Sequence, residues 1–317
     1  MEKILIIGAG GQIGTELTDA LRKKFGNDNV VASDIKNFED SHLTHPYEKL
    51  DVTDKDGIER VIDKYGITQL YNLAALLSAT AESKPKLAWD INMIGLFNTL
   101  DLAVEKKLTK VFWPSSIAVF GPDTPRQNTP QNTIMQPNTV YGISKLAGEG
   151  WCSYYNKKHG LDVRSIRYPG LISYKSEPGG GTTDYAVDIF YEAIKHGRYT
   201  SFLSKDTELP MMFMEDAIRG TIELMDAPVE NISVRAGYNF AAFSFTPEVL
   251  AEEIKKSIPE FDISYDPDFR QEIANGWPAS IDDSVAQKDW SWKPVYDLSK
   301  MTKVMLEEVG KKLETTV

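Results

Sequence analysis

A glycine-rich turn near the amino terminus restricts what this chain can fold into more than any other feature. Residues 3–7 form a short apolar run typical of a buried strand, and the next seven residues include Gly8, Gly11 and Gly14. Residues 15–24 then show the apolar spacing that predicts a helix. Glycines let a backbone approach a pyrophosphate, and the first turn of a helix offers it free N–H groups. The same turn could also serve only as a tight connection.

An acidic residue at the end of the next predicted strand supports the first interpretation. Residues 29–34 are again strand-like and place Asp34 20 residues beyond Gly14. A carboxylate at this position accepts hydrogen bonds from adenosine ribose hydroxyls and repels a 2′-phosphate. The spacing Gly8-x-x-Gly11-x-x-Gly14 differs from the common G-x-G-x-x-G fingerprint. Strand, turn, helix and acid together predict a dinucleotide site that prefers NAD over NADP.

Alternating strands and helices continue through residue 167 and predict an α/β fold. We expect a doubly wound parallel sheet, the Rossmann fold, because strand-like runs at 68–73, 111–113 and 161–167 alternate with helical stretches. Further helices are predicted at about 86–106, 185–195, 214–225 and 246–257, with a last one from residue 298. The predicted NAD-binding domain covers residues 1–170 with a returning segment at about 211–242. Residues 171–210 and 243–317 are predicted to form a smaller C-terminal substrate lobe.

Small and polar side chains follow several predicted strands, at the edge where open parallel sheets bind ligands. Asp54 is the predicted N-cap of a helix that begins near Lys55, while Asp51 could reach an adenine edge. Ala74 and Ala75 follow the strand at 68–73 and leave room for a ligand. Asp51, Ala74 and Ala75 are therefore candidates for the wall of the cofactor site.

Two serines and two irregular stretches are further candidates. Ser115 and Ser116 follow the strand at 111–113, although strand-end serines are also common turn formers. The loop at 117–137 is long for a compact domain, which is typical of functional loops. The three consecutive glycines at 179–181 indicate a mobile or closely approached backbone.

Tyr141 and Lys145 can form a base and the group that activates it. On a helix they lie four residues apart on one face, so their side chains are neighbours. A phenol holds its proton until about pH 10, and its ionisation must be favoured by roughly three units, about 4 kcal/mol, to be useful at neutral pH. A nearby ammonium in a partly dry cleft is the usual source of such a shift. Taken alone, the pair is weak evidence, because such pairs occur by chance on many solvated helix faces.

Charge and cysteine content exclude several classes of partner. The formal net charge is −11, with 46 acidic against 35 basic residues and no basic run, which argues against binding to nucleic acid or an anionic membrane. Cys152 is the one cysteine, so no internal disulfide is possible. The four histidines, of which His42 and His45 are closest together, predict no metal site. With no signal-like or membrane-spanning run, we expect a cytoplasmic protein that acts on small molecules.

The chain resembles the extended short-chain dehydrogenase/reductase family in the order and spacing of five features. They are the glycine turn, Asp34, the stretch Asn72-Leu73-Ala74-Ala75, the stretch Pro114-Ser115-Ser116 and the pair Tyr141-x-x-x-Lys145. The resemblance covers essentially the whole chain and implies that Ser116, Tyr141 and Lys145 are catalytic, with Ser115 as the neighbouring candidate. It implies that Tyr141 is the general acid/base, that Lys145 lowers its pKa and holds the nicotinamide ribose, and that the serine orients the substrate oxygen. It also implies a homodimer paired through two long helices from each subunit. The residues expected to bind NAD are Gly8, Gly11, Gln12, Ile13, Gly14, Asp34, Asp51, Val52, Leu73, Ala74, Ala75, Asn92, Tyr141, Lys145 and Tyr168.

Within that family the segments 114–121, 167–173, 179–186 and 277–284 resemble the short-chain L-threonine 3-dehydrogenases, relatives of the UDP-galactose epimerases. This implies oxidation of the threonine β-hydroxyl to 2-amino-3-oxobutanoate in threonine catabolism. The residues expected to contact substrate are Ser78, Ser115, Ser116, Tyr141, Thr182, Thr183, Asp184 and Trp277.

Two other functions stay open from sequence alone. One is an NDP-sugar 4-epimerase or dehydratase of the same family. Against it, the stretch 207–213 before Glu215 and Asp216 lacks the Arg that would hold a diphosphate. The other is a non-catalytic NAD-sensing regulator, which would need the glycine turn and Asp34 but not Ser116, Tyr141 and Lys145 together.

Overall fold

The protein consists of two compact units. The computed structural model describes residues 2–37, 46–176, 179 and 181–315, so His42, His45 and Gly180 lie outside the described residues. Unit 1 comprises Met1–Val119, Val140–Arg167 and Ile218–Tyr238, and unit 2 comprises Phe120–Thr139, Tyr168–Ala217 and Asn239–Val317. In this division residues 120–139 belong to unit 2, whereas the sequence-based boundaries, which stay a prediction, put them in the NAD-binding domain.

Unit 1 is built on a six-stranded parallel sheet with the order β3-β2-β1-β4-β5-β7. Its strands are β1 Ile4–Ile7, β2 Val30–Asp34, β3 Tyr47–Lys49, β4 Gln69–Asn72, β5 Lys110–Phe112 and β7 Val163–Arg164. Strands β1 and β4 are buried at every position, as expected where helices cover both faces. The predicted α/β fold with a doubly wound parallel sheet is therefore confirmed. The strand order reverses at β1 and β4, and ligands of such sheets bind outside the carboxyl ends at that point.

The helices of unit 1 begin at local sequence signals. They are α1 Gln12–Phe25, α2 Lys55–Tyr65, α3 Ser78–Ser83, α4 Pro85–Trp89, α5 Gly95–Glu105 and α6 Val140–His159, with a π-helical turn at Asp90–Ile94. The Asp54 carboxylate accepts a 2.9 Å hydrogen bond from the N–H of Gly57, which confirms the predicted cap of α2. A buried core joins α2 and α5 to the sheet through Leu5, Ile58, Leu70 and Leu100.

The remaining elements follow in chain order. They are β6 Ser115–Ser116, β8 Ile166–Tyr168, β9 Gly170–Ile172, α7 Tyr185–His196, β10 Arg198–Ser201, β11 Leu209–Phe213, α8 Met214–Asp226, β12 Tyr238–Asn239, β13 Phe243–Phe245, α9 Pro247–Lys255, β14 Asp262–Tyr265, α10 Arg270–Asn275, α11 Ser284–Trp290 and α12 Leu298–Thr315. Three small sheets have the orders β10-β14, β13-β11-β9 and β12-β8-β6. None of the helices in the described ranges has the length and hydropathy needed to cross a bilayer.

Two predicted elements differ from the structure. The strand predicted at 161–167 is two strands, because the chain leaves the large sheet after Arg164 and β8 pairs instead with β12 and β6. The helix predicted at 86–106 is continuous in position but contains the π-helical turn, which periodicity cannot reveal because its extra residue spoils the 3.6-residue spacing over only one turn. Both differences lie close to predicted site residues.

Candidate active site

The glycine turn at the carboxyl end of β1 exposes backbone atoms without side chains, and we call this segment, residues 8–14, the glycine cradle. Gly8 has φ +87°, and a Cβ there would lie 2.8 Å from the backbone nitrogen of Ala74. A Cβ on Gly14 would lie 2.2 Å from the carbonyl oxygen of Gly8. Helix α1 starts immediately after Gly11, and no side chain among the described residues caps its first N–H groups. These residues fit a dinucleotide, because the open helix start can receive a pyrophosphate at close range.

Asp34 ends β2 and is oriented by two backbone groups. One carboxylate oxygen accepts a hydrogen bond from the N–H of Gly10 at 3.0 Å, and the other accepts one from the N–H of Lys36 at 3.1 Å. Each carboxylate oxygen has a second lone pair that remains available to a ribose hydroxyl. The next side chain, Ile35, is 60% exposed and carries no charge that could bind a 2′-phosphate.

Asp34→Ser is expected to weaken the preference for NAD, because it removes the carboxylate that is predicted to repel the 2′-phosphate of NADP. The kcat/KM ratio of NAD to NADP should fall by about tenfold or more. Asp28→Ser is the matched control, since it removes the same charge from an exposed turn of the same unit. Equal use of both cofactors by the unmodified protein would show that the ribose contact has been misassigned.

The predicted adenine-side residues lie along the same edge of the sheet. The Asp51 carboxylate accepts hydrogen bonds from the N–H of Thr53 at 2.9 Å and from its hydroxyl at 2.8 Å. A Cβ on Gly95 would lie 2.8 Å from the side chain of Val52, so the Val52 side chain packs directly on α5. Leu73, which follows β4, donates its N–H to the carbonyl of Ile7 at 2.8 Å.

Ser116 and Tyr141 form a hydrogen-bonded pair. The side chain of Ser116 bonds to the phenol of Tyr141. Burial raises the pKa of Tyr141 to about 12, and the hydrogen bond from Ser116 opposes the rise. Ser115 is 2% exposed and donates its hydroxyl to the carboxylate of Glu149 at 2.6 Å. Of the two serines, Ser116 is therefore the one that contacts the phenol, while Ser115 is engaged elsewhere.

Lys145 lies beneath Tyr141 in a nearly closed environment. Its side chain is buried, and its amine donates to the carbonyl of Pro114 at 2.5 Å. The amine is 4.3 Å from the ring centroid of Trp113 and 5.5 Å from that of Tyr141. Burial lowers the pKa of Lys145 to about 7, against opposing contributions from Cys152 and Glu149. The sequence led us to expect that Lys145 lowers the pKa of Tyr141, but in this structure that pKa is raised. The Lys145 amine faces the ring of Tyr141, and burial of the phenol has the largest effect on its pKa.

Asn92 connects the π-helical turn to helix α6. Its amide oxygen accepts from the N–H of Leu76 at 2.9 Å. Its amide nitrogen donates to the carbonyl of Leu76 at 3.2 Å and to the hydroxyl of Ser144 at 3.1 Å. The amide thus fixes the loop after β4 against α6, next to Lys145, and cofactor contact by Asn92 stays a prediction. Ser78 is buried at the start of the short helix that follows this loop.

The other predicted substrate residues belong to unit 2. Thr182 is 1% exposed, and its hydroxyl has no hydrogen-bond partner among the described residues. Asp184 precedes α7, but its carboxylate bonds the N–H of Gly181 at 2.7 Å rather than the first turn of the helix. The methyl group of Thr183 would be 2.8 Å from a Cβ on Gly170. Trp277 is buried, as is Tyr168, which the sequence assigned to the cofactor.

Two residues near the site were not predicted. Glu149 and Arg167 form a buried ion pair, with both contacts at 2.8 Å. The spacing of Tyr141, Lys145 and Glu149 at every fourth residue of α6 was the available signal. Among the described residues, no group of three or more His, Cys, Asp or Glu side chains could hold a metal ion.

The fold and the site define an NAD-dependent oxidoreductase. They combine a Rossmann sheet with an open glycine cradle, an acid at the end of β2, and a Ser-Tyr pair beside a buried Lys145. The chain belongs to the NAD-dependent epimerase/dehydratase family, whose model matches residues 4–239. This confirms the extended short-chain dehydrogenase/reductase resemblance and NAD as the cofactor.

Full-length relatives give a more detailed comparison. A partial consensus L-threonine 3-dehydrogenase is 57% identical, with a TM-score of 0.96 and coverage of 98% of this chain and 99% of that one. The holo form of a GalE-like L-threonine dehydrogenase from Cupriavidus necator is 56% identical, with a TM-score of 0.95 and coverage of 97% and 99%. An uncharacterized epimerase/dehydratase of Staphylococcus haemolyticus is 51% identical over 315 residues, covering 98% of this chain and 99% of its own. A UDP-glucose 4-epimerase from Thermotoga maritima, at 21% identity and a TM-score of 0.84, shares the fold.

Proposed function

We propose that this protein oxidises the β-hydroxyl of L-threonine to 2-amino-3-oxobutanoate with NAD, as a step in threonine catabolism. The observation that carries the proposal is the likeness to L-threonine dehydrogenases at 50–57% identity over at least 97% of the chain. The chemistry of the site also supports the proposal, because Ser116 and Tyr141 form a hydrogen-bonded pair above the buried Lys145. We also propose a cytoplasmic location, where a reduced thiol such as the buried Cys152 is the rule.

Each residue of the set has a defined role in this reaction. Tyr141 takes the proton of the β-hydroxyl, and Ser116 holds the oxygen by a hydrogen bond while the carbon–oxygen double bond forms. When bound, NAD accepts the hydride from the β-carbon and brings a positively charged nicotinamide. Lys145 favours the phenolate through its charge and holds the nicotinamide ribose. The glycine cradle and Asp34 fix the dinucleotide, with Asp51, Val52 and the stretch 73–75 on its adenine side.

A substrate panel tests the proposal. The purified protein is incubated with NAD and either L-threonine, D-threonine, L-allo-threonine, L-serine or an NDP-sugar, and NADH is followed by absorbance. L-Threonine should react fastest and L-serine slowly, since one pocket must place the α-substituents and the β-hydroxyl together. NADH formation from an NDP-sugar but not from L-threonine would replace the proposal by the epimerase-like function. A protein that binds NAD but turns over nothing would favour the regulatory function.

The acidic pair at the start of α8 argues against a sugar nucleotide. The Asp216 carboxylate accepts the N–H groups of Val295 and Tyr296, both at 2.9 Å, and Glu215 bonds the Tyr296 hydroxyl. These carboxylates therefore fasten a chain segment within unit 2. The preceding strand, β11, is buried throughout and offers no cation for a diphosphate.

Thr183→Ala is expected to raise the KM for L-threonine, or lower kcat/KM, by about tenfold or more if its hydroxyl binds substrate. A purely structural role would instead lower the melting temperature and leave KM unchanged. Thr200→Ala, at an exposed position of β10 in the same unit, is the matched control. We keep Ser78, Thr182, Asp184 and Trp277 as further candidates for the amino and carboxylate groups, with Thr183 first.

We also propose a homodimer. Large apolar side chains are exposed on α4, the π-helical turn and α6, namely Leu87, Trp89, Ile94, Ile143, Trp151 and Tyr154. Exposed apolar surface of this kind on α4, the adjoining π-helical turn and α6 favours pairing with a second copy. One relative with 50% identity is described as monomeric, so the mass in solution by light scattering decides between the two states.

A further inference from the structure

A buried network lies next to the proposed catalytic set and has no part in the mechanism given above. The Glu149 carboxylate is 2% exposed and accepts three hydrogen bonds. Two come from the guanidinium of Arg167 at 2.8 Å, and one comes from the hydroxyl of Ser115 at 2.6 Å. A Cβ on Gly237 would lie 2.4 Å from the same carboxylate, so the backbone closes tightly over it.

Stability alone does not account for this ion pair. Replacing a buried ion pair with apolar side chains of similar volume is often neutral or stabilising, because both charges must be desolvated. A buried pair is therefore weak evidence for a role in folding. Its position is more informative, since Glu149 follows Lys145 by four residues on α6 and both are buried.

Lys145 needs a negative neighbour to stay charged. The groups that face its amine are the carbonyl of Pro114 and the rings of Trp113 and Tyr141, none of which carries a formal charge at neutral pH. Cys152 and Glu149 act on the amine from α6 itself. Burial raises the pKa of Cys152 far above its usual range, so the thiol is neutral and supplies no charge. Among these described neighbours, Glu149 is the one anion.

We infer that Glu149 is a positioning residue, held by Arg167 and Ser115, whose negative charge keeps Lys145 positively charged beneath Tyr141. The inference rests on the roles proposed above for Tyr141 and Lys145. Arg167 offsets part of the negative charge of Glu149. Its bidentate contact also fixes the position of the carboxylate relative to Lys145. Ser115 contributes by orienting the carboxylate, which explains why the two neighbouring serines bond to different partners.

The test measures the titration of Lys145 directly. Protein labelled with ¹³C at lysine Cε is titrated by NMR, and the Lys145 signal is assigned by its loss in Lys145→Met. Glu149→Gln should lower the pKa of Lys145 by about one unit, because it removes the negative charge near the amine while the positive charge of Arg167 stays. Glu149→Asp, which retains the charge, should keep the unmodified value.

A second ion pair of unit 1 provides the matched control. Asp162 bonds Arg164 at 2.7 Å at the amino end of β7, the edge of the sheet opposite to the serines. Asp162→Asn should leave the titration of Lys145 unchanged. An equal shift in Asp162→Asn and Glu149→Gln, or no shift in Glu149→Gln, would overturn the inference.

If Glu149→Gln does not fold, a second variant that is expected to shift the pKa of Lys145 in the opposite direction can be used. Arg167→Gln leaves Glu149 without its counter-charge and should raise the pKa of Lys145, and a fall or no change there would equally overturn the inference. The NMR titration requires no substrate. A failure of L-threonine to react would therefore count against the proposed function and leave this test intact.

Discussion

Tyr141→Phe is expected to lower kcat with L-threonine by about 10²–10⁴-fold while NAD affinity stays unchanged. The substitution deletes the hydroxyl that is proposed to accept the substrate proton, and it leaves the glycine cradle and Asp34 as they are. Steady-state kinetics give kcat, and quenching of tryptophan fluorescence gives the NAD dissociation constant. Because the pKa of Tyr141 is raised to about 12, the rate of the unmodified protein should also increase with pH as the phenol ionises.

Tyr154→Phe is the matched control for this variant. Tyr154 lies on the same helix, α6, and is 48% exposed, so loss of its hydroxyl should not change kcat. Lys145→Ala, by contrast, should impair both turnover and NAD binding, since both roles are proposed for its amine. Near-normal kcat in Tyr141→Phe would mean that another group accepts the proton.

Gly14→Ala is expected to abolish NAD binding and to destabilise the protein by about 3 kcal/mol. The added Cβ would lie 2.2 Å from the carbonyl oxygen of Gly8 and 2.7 Å from the Cα of Ala9. Both neighbours are backbone atoms, so the clash can be relieved only by moving α1 away from β1. Thermal unfolding with and without NAD measures the two effects, and the cofactor should no longer raise the melting temperature.

Gly150→Ala makes the same chemical change where there is space. A Cβ on Gly150 has no atom within 4 Å among the described residues, and the residue lies in the interior of α6. Alanine should stabilise the helix there by about 0.5–1 kcal/mol. Equal stability of Gly14→Ala and Gly150→Ala would show that the turn adjusts without cost, and the cradle assignment would fail.

The sequence predicted elements whose signals are local and repeated. The apolar run at 3–7, the glycines after it and Asp34 lie within one strand–helix–strand unit, and the structure shows β1, α1 and β2 there. Asp54 was identifiable as a cap because capping is a contact between residues three apart. The short strands β6, β9 and β12 were not predicted, because segments of two or three residues show no periodicity of their own.

The sequence allowed us to predict those site residues that lie together on one helix or at the end of one strand. Tyr141 and Lys145 belong to α6, and their proximity follows from helix geometry. The pairing of Glu149 with Arg167 could not be predicted, because Arg167 lies 18 residues away on strand β8 and the contact depends on tertiary structure. The pKa of Tyr141 was also beyond prediction from sequence, since its direction depends on how deeply the phenol is buried.

The π-helical turn at Asp90–Ile94 makes this part of the chain sensitive to length rather than to composition. Losing one residue there would turn the wide turn into an ordinary α-helical one. Everything on one side would rotate by about 100° and move by about 1.5 Å relative to the other. The Asn92 amide would then lose its hydrogen bonds to Leu76 and Ser144, although no other side chain had changed. In sequence alignments a single-residue gap at this point therefore marks a different geometry, whereas the same gap in a surface loop would be inconsequential.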